Sequence, residues 1–221
     1  MSAVISHKKI SQMNQAPLSA NNRIRVVLFD VGGVLIELSG LPQLLAWLGN
    51  RHTSDQIITL WLKSPCVRAF EAGKIPPETF AEQLIAEFAL PISREEYLEA
   101  FNRWIVKVLP GAAELVRRVP KNYIRATLCN SNAVHWPHVE KQQDLLGAFD
   151  HLFVSHLTGK IKPDDEAFQN VFDTLGCKPA ETLFLDDSSL NVEAAKKLGI
   201  HAFQVKGPAD AERVLRENGV L

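Results

Sequence analysis

One short, continuous apolar block stands near the start of the chain. Residues 26–29 read VVLF and are followed at once by Asp30, with Gly32 and Gly33 just beyond. Such a run without alternation is typical of a strand that is covered on both faces in a parallel sheet. Ligands of open α/β sheets bind beyond the carboxyl ends of the strands, where glycines let the backbone turn sharply. The stretch predicts either a nucleophilic or metal-binding carboxylate at Asp30 or a simple turn that Asp30 begins.

After this loop, apolar residues recur at three- and four-residue spacing as far as Pro110, which predicts a series of helices. The predicted helices cover residues 41–48, 54–62, 65–72, 77–89 and 93–108. Ser54 and Ser93 stand where N-caps are expected, and Gly73 separates two of the helices. We expect an all-helical insert that lies over the active edge of the sheet and excludes water from it.

From residue 112 onward, helical and strand patterns alternate. Helices are predicted at 112–119, 135–146, 164–175, 190–198 and 209–217, and strands at 124–128, 151–154, 182–185 and 202–205. This alternation is typical of an α/β protein with a doubly wound parallel sheet. The expected organisation is a loose N-terminal leader at 1–22, an α/β core formed by 23–38 and 109–221, and a helical insert at 39–108.

Composition narrows the classes of partner. The 24 basic and 25 acidic residues nearly balance, so no strong electric field favours nucleic acid or an anionic membrane, and we expect a small-molecule site. No apolar run is long enough to span a membrane. Three cysteines in a chain of 221 residues fit a reducing compartment, and the protein is expected to be cytoplasmic without disulfides. Nothing in the sequence indicates the oligomeric state.

Polar residues also follow the other predicted strands. The strand at 124–128 leads into Cys129 and Asn130, the segment after the strand at 151–154 contains Lys162, and the strand at 182–185 ends in Asp186 and Asp187. All of these should meet Asp30 at one edge of the sheet. Two of these segments also have a purely structural interpretation. Asp186 and Asp187 could simply cap the helix that follows, because carboxylates favour that position. Lys162 could lie in a solvated helix entry with Asp164 as its cap.

Four segments, in order, resemble the motifs of the haloacid dehalogenase (HAD) superfamily of aspartate-nucleophile hydrolases. They are FDVGGVL at 29–35, LCNSN at 128–132, GKIKPD at 159–164 and FLDDSSLNVEAAKKLGI at 184–200. The resemblance spans about residues 24–205 and implies a Rossmann-like core. The insert resembles the helical cap of the subgroup that contains sugar-phosphate phosphatases, 2-haloacid dehalogenases and the phosphatase domain attached to epoxide hydrolases.

The resemblance implies a Mg²⁺-dependent phosphatase that acts on a small phosphorylated metabolite through an aspartyl phosphate. The implied nucleophile is Asp30, and Lys162 would neutralise charge. The implied metal ligands are Asp30, the backbone carbonyl of Gly32, Asp186 and Asp187. The implied phosphate-binding groups are the amides of Val31 and Gly32, together with Cys129, Asn130 and Lys162.

Two positions depart from the family pattern. Gly32 stands where phosphatases of the superfamily usually carry a second aspartate, which acts as general acid and base. The explanations that remain open are a substrate or other group that makes this aspartate unnecessary, a dehalogenase, or a low-activity protein that binds phosphate and metal. Cys129 replaces the usual Ser or Thr, and its thiol could be either buried and inert or reactive with a lowered pKa.

In the insert, five residues are the first candidates for substrate contact. They are Trp61, Arg68, Phe70, Glu71 and Trp104. Near the second motif, His135, Trp136 and His138 are expected to be packing residues or residues at the lip of the site, not catalysts.

Overall fold

The strand pattern builds a parallel sheet in the computed structural model, which describes residues 24–49 and 51–221. The predicted leader at 1–22 lies outside the described residues. The strands are β1 (Val26–Phe29), β2 (Ile36–Leu38), β3 (Ile105–Val108), β4 (Ile124–Cys129), β5 (His151–Val154), β6 (Thr182–Asp186) and β7 (His201–Gln204). Five of them form one sheet in the order β5-β4-β1-β6-β7, with every neighbouring pair parallel. The central strand is therefore β1, which carries the apolar block.

Both faces of the sheet are covered, which explains the uninterrupted apolar sequence of β1. Val27 and Phe29 point into one buried cluster, while Val26 and Leu28 point into another on the opposite face. The helices of this α/β core are α6 (Ala112–Arg118), α7 (Trp136–Glu140), α8 (Gln143–Leu146), α9 (Ser155–Thr158), α10 (Asp165–Leu175), α11 (Ser189–Lys197) and α12 (Gly207–Glu217). The first cluster contains residues of α6, α8 and α12, and the second contains residues of α10 and α11. The predicted doubly wound α/β fold is confirmed.

Five helices inserted between β2 and β3 form what we call the cap. They are α1 (Gly40–Trp47), α2 (Ser54–Lys63), α3 (Pro65–Glu71), α4 (Pro77–Phe88) and α5 (Arg94–Asn102). The cap has a buried cluster of its own that is rich in aromatic rings, and the rings of Phe70 and Phe80 stack with centroids 4.3 Å apart. This separate cluster supports the proposed division into a core and a cap at residues 39–108.

The N-cap of one cap helix agrees with the sequence prediction, and the N-cap of another differs by one residue. Ser93 caps α5 in a capping box with Glu96, as expected. The cap of α2 is Thr53, not Ser54, because the Thr53 hydroxyl accepts the Gln56 amide while the Gln56 side chain accepts the Thr53 amide.

The predicted helix at 93–108 is wrong in its second half. Helix α5 ends at Asn102, and Ile105–Val108 forms β3, which pairs antiparallel with β2. The insert is therefore not wholly helical, since a two-stranded ribbon joins it to the core. The sequence IVKV satisfies helical spacing as well as strand alternation, and its pairing with the distant β2 decides between the two. The predicted helix at 135–146 is also split, into α7 and α8.

Candidate active site

The sheet brings three carboxylates together at its carboxyl edge. Asp30 directly follows β1, and Asp186 is the last residue of the neighbouring strand β6. The Asp30 amide donates to the Leu185 carbonyl at 2.8 Å, which continues the pairing of the two strands to the edge. One carboxylate oxygen from each of Asp30, Asp186 and Asp187 lies within 4.8 Å of the others. The predicted acidic cluster therefore exists as a compact set of oxygen donors.

Lys162 reaches this cluster from the segment that follows α9. Its Nζ donates to Asp30 Oδ1 and to Asp186 Oδ2, both at 2.7 Å. The lysine is only 2% exposed, so this ammonium is held inside the protein by two carboxylates. The structure thus joins the three groups that the sequence placed at separate strand ends.

Charge in this cluster is unbalanced because three carboxylates share one ammonium. Burial, reinforced by Asp186 and Asp187, raises the pKa of Asp30 to about 8 despite the opposing effect of Lys162. Burial and Asp186 raise the pKa of Asp187 to about 6. Burial alone would lower the pKa of Lys162, but Asp186 and Asp30 raise it above its ordinary value, so the amine stays protonated. Additional positive charge would stabilise the ionised carboxylates.

Asp186 is fixed in place by groups beyond the cluster. Its Oδ1 accepts the Ser188 amide at 2.8 Å, and the Asn191 Nδ2 lies 3.1 Å from both carboxylate oxygens. Asn191 was missed by sequence reasoning, because it lies inside α11 and only its one-turn offset from the acidic pair could have indicated it. The capping interpretation of this segment is wrong, since no side chain among the described residues caps α11, and Asp186 accepts only the amide of Ser188, the residue before the helix.

The glycine pair after Asp30 forms a tight turn. Gly33 has a φ of +71°, and a Cβ on it would overlap the carboxylate of Asp187, so a side chain is excluded there. Gly32 is different, since a Cβ on it would lie 2.9 Å from the Leu38 side chain. The space beside Gly32 is therefore occupied by an apolar residue of β2.

Asn130 and Cys129 lie at the end of β4. Asn130 Oδ1 accepts the Lys162 amide at 2.9 Å and its Nδ2 donates to the Lys162 carbonyl at 3.0 Å, so this side chain holds the lysine segment. The buried Cys129 thiol donates to the Asn130 carbonyl at 3.4 Å. Burial, with Asp30 as the next cause, raises the pKa of Cys129, which favours the buried and inert thiol over the reactive one.

The arrangement matches a known family. The model of the haloacid dehalogenase-like hydrolase family matches residues 24–199. The chain belongs to this family. The expectation of a HAD hydrolase is thereby confirmed.

Relatives within the HAD family include phosphatases. D-ribitol-5-phosphate phosphatase of Bacteroides thetaiotaomicron is 26% identical over 194 residues, which cover 85% of this chain and 94% of that protein. A solved HAD family enzyme from the same organism, in complex with magnesium and inorganic phosphate, superimposes with a TM-score of 0.63 at 26% identity, covering 83% of this chain and 94% of that one. Mouse acyl-CoA dehydrogenase family member 10 is 28% identical over 89% of this chain, but the chain spans only 19% of that protein's length.

The donor set of this HAD chain suits a hard divalent cation. Three carboxylates supply oxygen ligands, which Mg²⁺ prefers, and burial together with their mutual repulsion raises the pKa of Asp30 and of Asp187. The packing of Asp187 against Gly33 keeps its carboxylate at the cluster. The residues therefore fit the expected magnesium site.

The cap adds a polar pair to the HAD site. Glu71, at the end of α3, accepts hydrogen bonds from Trp61 Nε1 at 3.3 Å and from Asn130 Nδ2 at 3.2 Å. Arg68 pairs with Asp164 of the core at 2.7 Å. Of the five cap residues singled out from the sequence, Phe70 and Trp104 are buried in the aromatic cluster and do not line the site.

The histidines near the second motif pack between cap and core. The His135 ring stacks on Phe101 with centroids 4.0 Å apart, its Nε2 lies 2.7 Å from the Phe101 carbonyl, and burial lowers its pKa to about 4. His138 bonds the Asn102 side chain at 2.8 Å, and Trp136 is buried in the core. The expectation that these residues serve packing is confirmed.

Proposed function

We propose that the protein is a Mg²⁺-dependent phosphatase that hydrolyses a small phosphorylated metabolite through an aspartyl phosphate on Asp30. The observation that carries this proposal is the cluster of three carboxylates around one buried ammonium at the carboxyl edge of the sheet. The phosphatase relatives, and the magnesium and phosphate bound by a structural neighbour, support the same chemistry.

In this mechanism Asp30 is the nucleophile. Lys162 bonds its Oδ1, so Oδ2 is the oxygen that would attack phosphorus and displace the leaving group. Water then attacks the aspartyl phosphate and releases inorganic phosphate. Lys162 offsets negative charge where the phosphate meets the carboxylate, and its own position is maintained by Asn130.

Magnesium would be held by Asp30, the Gly32 carbonyl, Asp186 and Asp187. When bound, it would neutralise the charge of the carboxylates and of the phosphate dianion. The backbone amides of Val31, Gly32 and Asn130 would bind phosphate oxygens, because the side chain of Asn130 is already bonded to Glu71 and to the Lys162 segment. Cys129 would contribute mainly shape to this pocket, because its thiol donates to the Asn130 carbonyl.

The test is a phosphate-release screen over sugar, polyol and carboxylate phosphates, with and without Mg²⁺. Asp30→Asn should abolish turnover, while Asp173→Asn, a change on the exposed side of α10, should leave it intact. Halide release from 2-halo acids without metal would instead identify a dehalogenase. Tight binding of metal and phosphate with no turnover on any substrate would identify a binding protein. The three carboxylates favour the phosphatase, because halide displacement from carbon brings no phosphate dianion to neutralise.

Among the described residues, no helix combines the length and the apolarity needed to cross a lipid bilayer. We propose a cytoplasmic location on the basis of the three free cysteines. The balanced charge supports a small-molecule substrate in place of nucleic acid or membrane.

A further inference from the structure

The proposed reaction needs a proton carrier that the usual position does not supply. An alkoxide leaving group must be protonated, and the water that attacks the aspartyl phosphate must lose a proton. Gly32 has no side chain for either step, and Leu38 fills the neighbouring space. A carrier has to come from another element.

Glu71, at the end of the cap helix α3, is placed to carry this proton. Asn130 Nδ2 lies 3.2 Å from Glu71 Oε2 and 3.0 Å from the Lys162 carbonyl, so one amide joins Glu71 to the segment that carries the buried ammonium. The charges of Asp30, Lys162 and Glu71 all influence the pKa of the Cys129 thiol, which directly precedes Asn130. Trp61 Nε1 fixes the other carboxylate oxygen. Glu71 therefore borders the reaction cluster without belonging to its acidic trio.

We propose that Glu71 is the general acid and base of this phosphatase, taking the role that Gly32 cannot fill; the inference rests on the proposed function. In the first step Asp30 bonds to phosphorus, the bond from phosphorus to the leaving oxygen breaks, and the Glu71 carboxyl proton passes to that oxygen. In the second step the Glu71 carboxylate takes a proton from water, the water oxygen bonds to phosphorus, and the bond from phosphorus to Asp30 breaks. Both side chains return to their starting states.

The surroundings of Glu71 let its carboxyl both hold and release a proton near neutral pH. Burial raises the pKa of Glu71 to about 7, although the hydrogen bond from Trp61, the charge of Lys162, the hydrogen bond from Asn130 and the charge of Arg68 oppose the shift. Cys129, the other titratable group that faces it, stays protonated. A phosphate dianion bound nearby would disfavour the Glu71 carboxylate further, so the acid form would be present when substrate arrives.

The experiment compares two leaving groups in Glu71→Gln, which keeps the size of the side chain and one of its two oxygen acceptors, for either Trp61 or Asn130. The kcat/KM for a primary alkyl phosphate should fall by about a hundredfold or more, because the alkoxide needs a proton. The kcat/KM for p-nitrophenyl phosphate should change only a few-fold, because nitrophenolate leaves unprotonated. The variant should also show a burst of nitrophenolate, since hydrolysis of the aspartyl phosphate is slowed. In the wild type, kcat/KM for the alkyl phosphate should fall as pH rises through the pKa of Glu71, and the variant should lose this dependence.

Glu87→Gln is the matched control. This cap glutamate also accepts a side-chain hydrogen bond, from Ser64 at 2.7 Å, but it should leave both substrates unaffected. An equal loss of kcat/KM for both substrates, or no loss for either, would overturn the role of Glu71. Failure of the phosphatase proposal itself would look different, as wild-type protein would release phosphate from neither substrate or Asp30→Asn would remain active.

Discussion

Lys162 connects two acidic residues that lie far from it in the sequence, 132 positions from Asp30 and 24 from Asp186. A lysine this deeply buried would ordinarily lose its proton, but the two carboxylates more than offset the cost of burial. The three side chains therefore depend on one another for both charge and position.

Lys162→Met should remove activity and also destabilise the fold. Two buried carboxylates would lose their counter-ion, a change that typically costs about 3–5 kcal/mol of unfolding free energy. Urea denaturation in EDTA measures the loss, and added Mg²⁺ should recover part of it by supplying positive charge. Lys160→Met, two residues earlier and partly exposed with one bond to Asn170, is the control and should change stability by about 1 kcal/mol or less. Equal stability of the two variants would contradict the interdependence of the buried charges.

At the scale of helices and strands, the sequence predicted correctly the elements whose type is determined by their local hydrophobic pattern. The strands with uninterrupted apolar runs and most helix ends agree with the structure to within two residues, because burial on both faces or on one face sets their patterns. The strand β3 was mistaken for helix, since its partner β2 is about seventy residues away and only tertiary pairing distinguishes the two states.

Prediction of the active site from the sequence has the same limit. Asp30, Asp186 and Asp187 could be predicted because each follows a strand whose end is visible in the sequence. The hydrogen bonds between Glu71 and Asn130 and between Asn191 and Asp186 could not be predicted. Glu71 and Asn191 lie on helices, and the orientation of these helices depends on packing.

The cap packs closely against the core at Gly73. Gly73 follows α3 with a φ of +69°, and a Cβ on it would overlap the backbone carbonyl of His156 in α9. The carbonyl cannot move aside as a flexible side chain could, so a side chain at this position would force cap and core apart locally.

Gly73→Ala should therefore cost more than backbone strain alone. Left-handed backbone costs alanine about 1–2 kcal/mol, and the overlap with His156 should add a packing cost of about 1–3 kcal/mol. Gly176→Ala is the matched control, with a φ of +58° and open space around its Cβ position. Urea denaturation of both variants separates strain from overlap, and KM should rise only for Gly73→Ala, since α3 also carries Glu71. Equal losses of stability would show that the cap does not depend on this contact.

The whole molecule is a core that concentrates negative charge and a cap that closes over it. Separate buried clusters stabilise the two parts, and contacts such as the Arg68–Asp164 ion pair connect them. That ion pair is partly exposed, so it contributes only about 0.2–1 kcal/mol to the association of the two parts.

Metal binding should stabilise the entire fold, because the acidic trio exists as a unit only in the folded chain. A ligand that binds only the folded state adds about 2.7 kcal/mol at a concentration one hundred times its Kd, so the thermal midpoint should rise in Mg²⁺ relative to EDTA. Asp187→Asn should abolish most of this rise. In EDTA the same variant should be as stable as wild type or more stable, because it removes a carboxylate that repels Asp186 and Asp30. Glu193→Gln, which alters an exposed carboxylate of α11 paired with Lys196, should keep the full rise. A rise in Asp187→Asn as large as in wild type would place the metal elsewhere and remove the charge argument for this site.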